Sequence, residues 1–236
     1  MQERRKIYTS FHDLSPSEYM YFPKGSIETS TAGRFSRVEI KHLLIAMGVL
    51  TLAFAFTFSG ASLLSGFKNI QSLPMVLPVS FLGILTAFFF HEISHKFMAQ
   101  KYGLWSEFRM NARWLMISLF LAIFSGFVIA APGAVMFQGE TRKFEMGKIA
   151  AAGPSANIVI AAITYPLYRF VFFETSFGKI LGFICLINAL LGTFNLIPFG
   201  PFDGWKIISW NGLVWAALFI IGLIMMILIF PIAPLF

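Results

Sequence analysis

The residues most able to do chemistry stand together in the run His91-Glu92-Ile93-Ser94-His95. A helix brings residues four apart onto one face, about one turn from each other, so the two imidazoles of this H-E-x-x-H pattern can grip a single cation. Zinc suits such a pair. It takes imidazole nitrogen at about 2.0–2.1 Å and, with three protein ligands, keeps a position open for water. Glu92, beside the first histidine, can take a proton from a water whose pKa the metal lowers towards about 7. A third ligand is needed, and the remaining acid inside an apolar stretch is Asp203, in Asn195-Leu196-Ile197-Pro198-Phe199-Gly200-Pro201-Phe202-Asp203-Gly204. Prolines there remove backbone donors and glycines permit unusual dihedrals, so this stretch is expected to be unwound. His91, His95 and Asp203 are therefore the expected ligands of one zinc ion, with Glu92 as the base.

The elements that carry these residues must live in a bilayer. Of the 236 residues, 57% are hydrophobic and only 12% are charged, with a mean hydropathy of +0.75. A water-soluble domain runs nearer 25% charged, so a soluble enzyme, a disordered tail and a disulfide scaffold are excluded. Six uncharged runs, 43–67, 69–90, 114–137, 149–168, 180–202 and 207–236, each reach the roughly 18–20 residues that a helix needs to cross hydrocarbon. The fold class expected is an all-α polytopic membrane protein of five to six transmembrane helices. Ionisable groups at that depth are costly and functional by default. Irregular backbone such as 195–204 is tolerated there only where protein buries it or a wet cavity adjoins it.

The net charge of +7 is carried by loops, as positive-inside loops require, so no nucleic-acid partner is expected. Cys185 is the single cysteine and reads as a small core residue. Residues 1–41 are polar and basic, without an early apolar segment, and read as a cytoplasmic N-terminal segment ahead of a membrane-embedded domain at 42–236. Ser36 followed by Glu39 fits a helix-capping pattern and opens a first helix over 36–64. Pro74 and Pro78 open a second, running to 102, and helices follow near 147–172 and 178–197. His12 and His42 read as solvated or interfacial, Trp205 and Trp210 as an interface belt, and Lys96 as snorkelling to the inner headgroups.

With the N-terminus inside, six full crossings would put Asp203 on the side opposite the two histidines. One cation cannot be held from both sides, so residues 104–146 must return to the inner side as a re-entrant element. Lys and Arg agree: they divide 15 inside to 3 outside with the return, against 13 to 5 without it.

H-E-x-x-H in one span, Gly153-Pro154-Ser155-Ala156-Asn157 in the next and N-x-x-P-x-x-x-x-D-G from Asn195 to Gly204 together resemble the site-2 protease family of intramembrane zinc metalloproteases (peptidase family M50), over roughly residues 75–205. The resemblance implies zinc on His91, His95 and Asp203 with Glu92 as general base, and it suggests that Asn157 and Asn195 place the substrate or the oxyanion. Pro132-Gly133-Ala134-Val135 reads as the turn of the re-entrant element, and the resemblance further suggests that 134–137 is an edge strand that pairs with unwound substrate. The partners implied are a membrane-protein substrate and the bilayer; the oligomeric state is unknown. A metal or proton transporter is the rival reading, since its sites are also built on broken helices. A base directly after a ligand, and the lack of inverted halves, argue against it.

Overall fold

The structure is a computed structural model that describes residues 7–8, 35–129, 132–139, 141–200 and 202–232. His12 and most of the 1–41 segment lie outside the described residues. Among the described residues, five stretches are long and apolar enough to cross a membrane: Arg37–Ser59, Ile70–Lys101, Lys143–Val171, Ser176–Asn195 and Gly212–Ile229. The chain is a polytopic, mostly helical membrane protein, and five spans fall within the range the sequence implies.

Helix α1 (Arg37–Ser59) begins at Ser36, whose hydroxyl accepts from the Glu39 amide, and stops at Gly60, short of 64. The second span is compound. Helix α2 (Leu73–Ile84) passes through one π-helical turn at Leu85–Phe89 into α3 (Phe90–Lys101), which carries the H-E-x-x-H residues. Helix α5 (Lys143–Pro166) continues as a second π turn to Val171, and α6 (Ser176–Asn195) returns antiparallel to it. Beyond the unwound 196–202 lies α7 (Asp203–Trp210). Asn211 then caps α8 (Gly212–Ile229), its Oδ1 accepting from the Leu213 and Val214 amides.

The third uncharged run, 114–137, yields no helix of membrane-crossing length. It divides into α4 (Ala112–Ser125) and strand β3 (Gly133–Gln138), and β3 pairs antiparallel with β2 (Trp105–Met110) and with the short β1 (Ile7–Tyr8). The strand expected as an edge over 134–137 is thus the middle one of the sheet, because β1 takes its outer side at Phe137 and Gln138; only its residues before Phe137 lack a second partner strand among the described residues. Met110 lies opposite Gly133, and the Asn111 amide donates to Pro132 O at 2.8 Å. The segment between therefore leaves the sheet and comes back to the same rung. At 1.5 Å per residue, α4 is about 21 Å long, too short for roughly 30 Å of hydrocarbon. Its far end meets the loop after α1, where the Leu63 and Leu64 amides donate to Ile123 O and Phe124 O. Gly133 sits at φ +146°, and a Cβ there would strike Arg109 O, so only glycine lets β3 start this close to β2.

The sheet is tied to the helices by charge as well as packing. Glu39 does not complete the capping box suggested by its spacing. Its carboxylate turns inward, accepts the Phe108 amide of β2 at 3.0 Å and pairs with Lys96 at 2.5 Å. Both side chains are wholly buried, and the Lys96 ammonium also donates to Ser106 O and lies over the Phe35 ring. Lys96 thus does not snorkel. The ion pair is satisfied inside the protein and holds α1, the metal-motif helix and the sheet to one another. Apolar packing of Leu50, Ile84, Phe88, Phe108 and Phe183 fills the space between those elements.

Candidate metal centre

Helix α3 projects both imidazoles towards α5, and the unwound stretch brings Asp203 to meet them. His91 Nε2 and His95 Nε2 are 3.0 Å apart. Asp203 Oδ2 lies 3.5 Å from the first and 3.0 Å from the second. All three residues are buried. Four ligands placed tetrahedrally about zinc at about 2.0–2.1 Å stand about 3.3 Å from one another, so these spacings suit one ion of that size.

Hydrogen-bond direction tests the fit further. His95 Nδ1 faces Ile149 O at 2.7 Å, and a carbonyl can only accept, so Nδ1 carries the proton and Nε2 presents its lone pair. His91 Nδ1 faces Asn157 Oδ1 at 2.5 Å. The Asn157 amide is oriented from behind, because its Nδ2 donates to Ala87 O at 2.8 Å and to Asn188 Oδ1 at 3.0 Å. His91 therefore carries its proton on Nδ1 as well. Two imidazole lone pairs and a carboxylate oxygen, all acceptors, converge with no hydrogen to share. In a buried site that arrangement is repulsive unless a cation lies among them, and the donor set of two nitrogens and one carboxylate oxygen is one that zinc takes.

The surroundings are equally specific. Gly153 of α5 forms the floor: a Cβ there would fall against His95 Nε2 and stand 2.7 Å from His91 Cε1 and Nε2. Only a glycine lets α5 approach the metal helix at this level. The other Asp203 oxygen, Oδ1, faces the Lys206 ammonium at 3.5 Å, one turn along α7. Where the backbone unwinds, Leu196 O accepts the Trp215 indole N–H of α8 at 2.7 Å. The irregular stretch is thus satisfied by protein, as membrane depth requires. Trp210 packs against Gly147 of α5, so of the two tryptophans expected at an interface only Trp205 is exposed.

Glu92 and β3 line the same cavity, together with Asn195 and Lys206, and the Val135 backbone N–H lies against the Glu92 carboxylate. Asn195 is half-buried on the cavity wall and donates one amide hydrogen to Leu191 O at 3.0 Å. Asn157 is not on that wall. It is fully buried behind His91, with both amide hydrogens and its oxygen already engaged.

Known proteins give this geometry a context. A candidate zinc metalloprotease of Methanocaldococcus jannaschii, MJ0611, is 36% identical over 195 residues, covering 80% of this chain and 92% of its own length. The chain belongs to the zinc metalloproteases. A second M. jannaschii protein, the zinc metalloprotease MJ0392, is 28% identical over 130 residues, which is 55% of this chain and 33% of that protein. A candidate zinc metalloprotease of Bacillus subtilis, YwhC, is 25% identical over 155 residues, 57% of this chain and 69% of its own. No family model matches the chain, and no solved structure matches it. The metal that this protease's donor set fits is therefore zinc.

Sequence reading passed over several residues of the site: Gly153 as its floor, Lys206 on the carboxylate, and Asn188 with Thr86 behind Asn157. A signal for Asn188 was present, since an uncapped amide in the middle of an apolar span is itself costly. Nothing in local sequence marked the π turn at Leu85–Phe89, which holds the Ala87 carbonyl that Asn157 uses.

Proposed function

We propose that this protease is an intramembrane endopeptidase of the site-2 type, which hydrolyses peptide bonds in or near the transmembrane segments of other membrane proteins. The observation that carries the reading is the meeting, in one cavity between membrane-length helices, of a buried His91–His95–Asp203 group, the Glu92 carboxylate and the part of β3 ahead of its pairing with β1.

His91, His95 and Asp203 would hold the ion. Zinc, when bound, supplies Lewis acidity towards the scissile carbonyl and acidifies water. Glu92 accepts a proton from the attacking water and returns it to the departing amide nitrogen. Peptide hydrolysis needs an extended chain, and β3 offers one. The Val135 amide that faces Glu92 marks the rim where a substrate strand adds, its backbone groups satisfied by the pairing. Asn195 donates its remaining amide hydrogen to the oxyanion that develops on the scissile carbonyl. Asn157 acts one shell out, as a positioning group for His91. Residues 1–41 lie in the cytoplasm, and the site opens towards the cytoplasmic side, an orientation that rests on the distribution of Lys and Arg.

The test uses the full chain in liposomes with a transmembrane reporter. Glu92→Gln is expected to keep one zinc per chain and lose cleavage, and Asp203→Ala to lose both. Undiminished cleavage by Glu92→Gln refutes the assigned base. Zinc flux that survives Glu92→Gln, with no cleavage by any form, would favour the transporter instead. Thiol labelling of single cysteines placed at 66 and 140 reads the orientation.

A further inference from the structure

We infer that Asn188 and Thr86 are positioning residues of the metal centre: with Asn157 they form a one-way chain of hydrogen bonds that fixes which nitrogen of His91 faces the ion. The inference rests on His91 being a zinc ligand. The direction of the chain is set at its far end by groups that can only accept. The Thr86 hydroxyl donates to Leu82 O at 2.9 Å or Gly83 O at 3.0 Å, so towards Asn188 it offers a lone pair. Asn188 Nδ2 donates to that oxygen at 3.0 Å and to Ile184 O at 2.9 Å. Both its hydrogens are then used, and Oδ1 must point the other way. There it accepts Asn157 Nδ2, whose second hydrogen goes to Ala87 O in the π turn. Asn157 Oδ1 is left facing His91 Nδ1.

Each link removes a choice from the next. Reversing either amide would set oxygen against oxygen at one end and hydrogen against hydrogen at the other, in a place where no water can repair it: Asn157 and Asn188 are both fully buried. If Asn157 did turn over, its Nδ2 would face His91 Nδ1. His91 would then keep its proton on Nε2, where it cannot bind a metal. The chain spans three elements, since Thr86 lies in the π turn, Asn188 in α6 and Asn157 in α5. It joins the pair of helices behind the site to the ring of His91. An outer-shell partner commonly governs metal affinity by about 10–100-fold.

The experiment measures zinc affinity by competition and the visible spectrum of the cobalt-substituted full chain, in detergent micelles. The variants are Asn188→Leu, Thr86→Val, both together, Asn188→Asp, and Ile187→Val as a packing control beside the chain. Asn188→Leu is expected to weaken zinc binding about tenfold and to shift the cobalt bands, and Thr86→Val to do the same to a smaller extent. The double variant should resemble Asn188→Leu alone, because both break one chain. Asn188→Asp keeps an acceptor for Asn157 and should keep the wild-type cobalt spectrum. Ile187→Val should lower the thermal midpoint without touching affinity. If Asn188→Leu and Thr86→Val bind zinc and cobalt as wild type does, whatever their thermal midpoints, the inference is overturned. Should Asn188→Leu not fold, the isosteric Thr86→Val decides alone. Wild-type protein whose zinc binding is indifferent to His91→Ala would instead overturn the ligand assignment itself.

Discussion

Replacing Gly153 by alanine adds a single methyl group and should empty the metal centre. The new Cβ would stand 2.7 Å from His91 Nε2, and closer still to His95 Nε2, whereas ordinary contact begins near 3.4 Å. Helix α5 must then retreat from α3 by about 0.7 Å or more, because a close-packed interior leaves the two buried imidazoles no room to turn aside. Asn157 lies one turn along the same helix and Ile149 one turn before it, so both move with the retreat. The 2.5 Å bond from His91 to Asn157 and the 2.7 Å bond from His95 to Ile149 O would lengthen to about 3.2 and 3.4 Å, at or past the limit of a useful hydrogen bond. Each such orienting bond is worth about 10–100-fold in metal affinity. The expected loss is about 100-fold or more, with cleavage of a membrane reporter lost alongside it. Metal content of the purified protein, by elemental analysis after dialysis against a weak chelator, reads the result. Gly48→Ala is the matched control, since a Cβ there meets nothing within 4 Å, and it should retain its zinc. A Gly153→Ala protein carrying one zinc per chain at wild-type affinity would refute the reasoning.

Three further outcomes follow from the same geometry. Lys96→Met leaves the buried Glu39 carboxylate without its cation and should destabilise the fold by roughly 3–5 kcal/mol; Glu39→Gln combined with Lys96→Met should recover much of that, as read by thermal unfolding in detergent. Lys206→Met removes the cation from Asp203 Oδ1 and should weaken zinc binding about tenfold, measured by competitive titration, with Lys206→Arg less affected. Val135→Pro removes the amide that faces Glu92 and, because that amide points away from β2, leaves the β2–β3 ladder in place. Zinc content should stay at one per chain while cleavage of a transmembrane substrate falls, and a variant that cleaves normally would remove β3 from the substrate path.

What was legible in sequence is what depends on local pattern. Span length marked six candidate runs, five of which hold membrane-length helices; helical spacing put His91 and His95 on one face, and the prolines and glycines at 198–204 announced an unwound carrier for Asp203. Residues 104–146 were readable as a return only through an argument about charge and sidedness. Their strands stayed hidden, because an apolar run of 114–137 looks the same whether it crosses or doubles back. Lys96 shows the limit most sharply. A lysine near the end of a span ordinarily reaches for headgroups, and only tertiary structure shows that Glu39, 57 residues earlier, takes it inside. Asn157 carries a similar lesson, since a motif identifies the residue but cannot say whether its amide looks into the cavity or away from it.

The rung shared by Asn111 and Pro132 has a mechanical consequence. A loop whose two feet stand on one step is a pendant, steadied at its far end by the clasp of Leu63 and Leu64 on Ile123 and Phe124, so length added beyond that clasp is not transmitted to the floor beneath. Residues inserted at its tip, near 126–129, would deepen the pendant without turning the β2–β3 ladder or shifting the imidazoles. The protein can therefore vary how far this piece dips into the lipid while the catalytic floor keeps its shape.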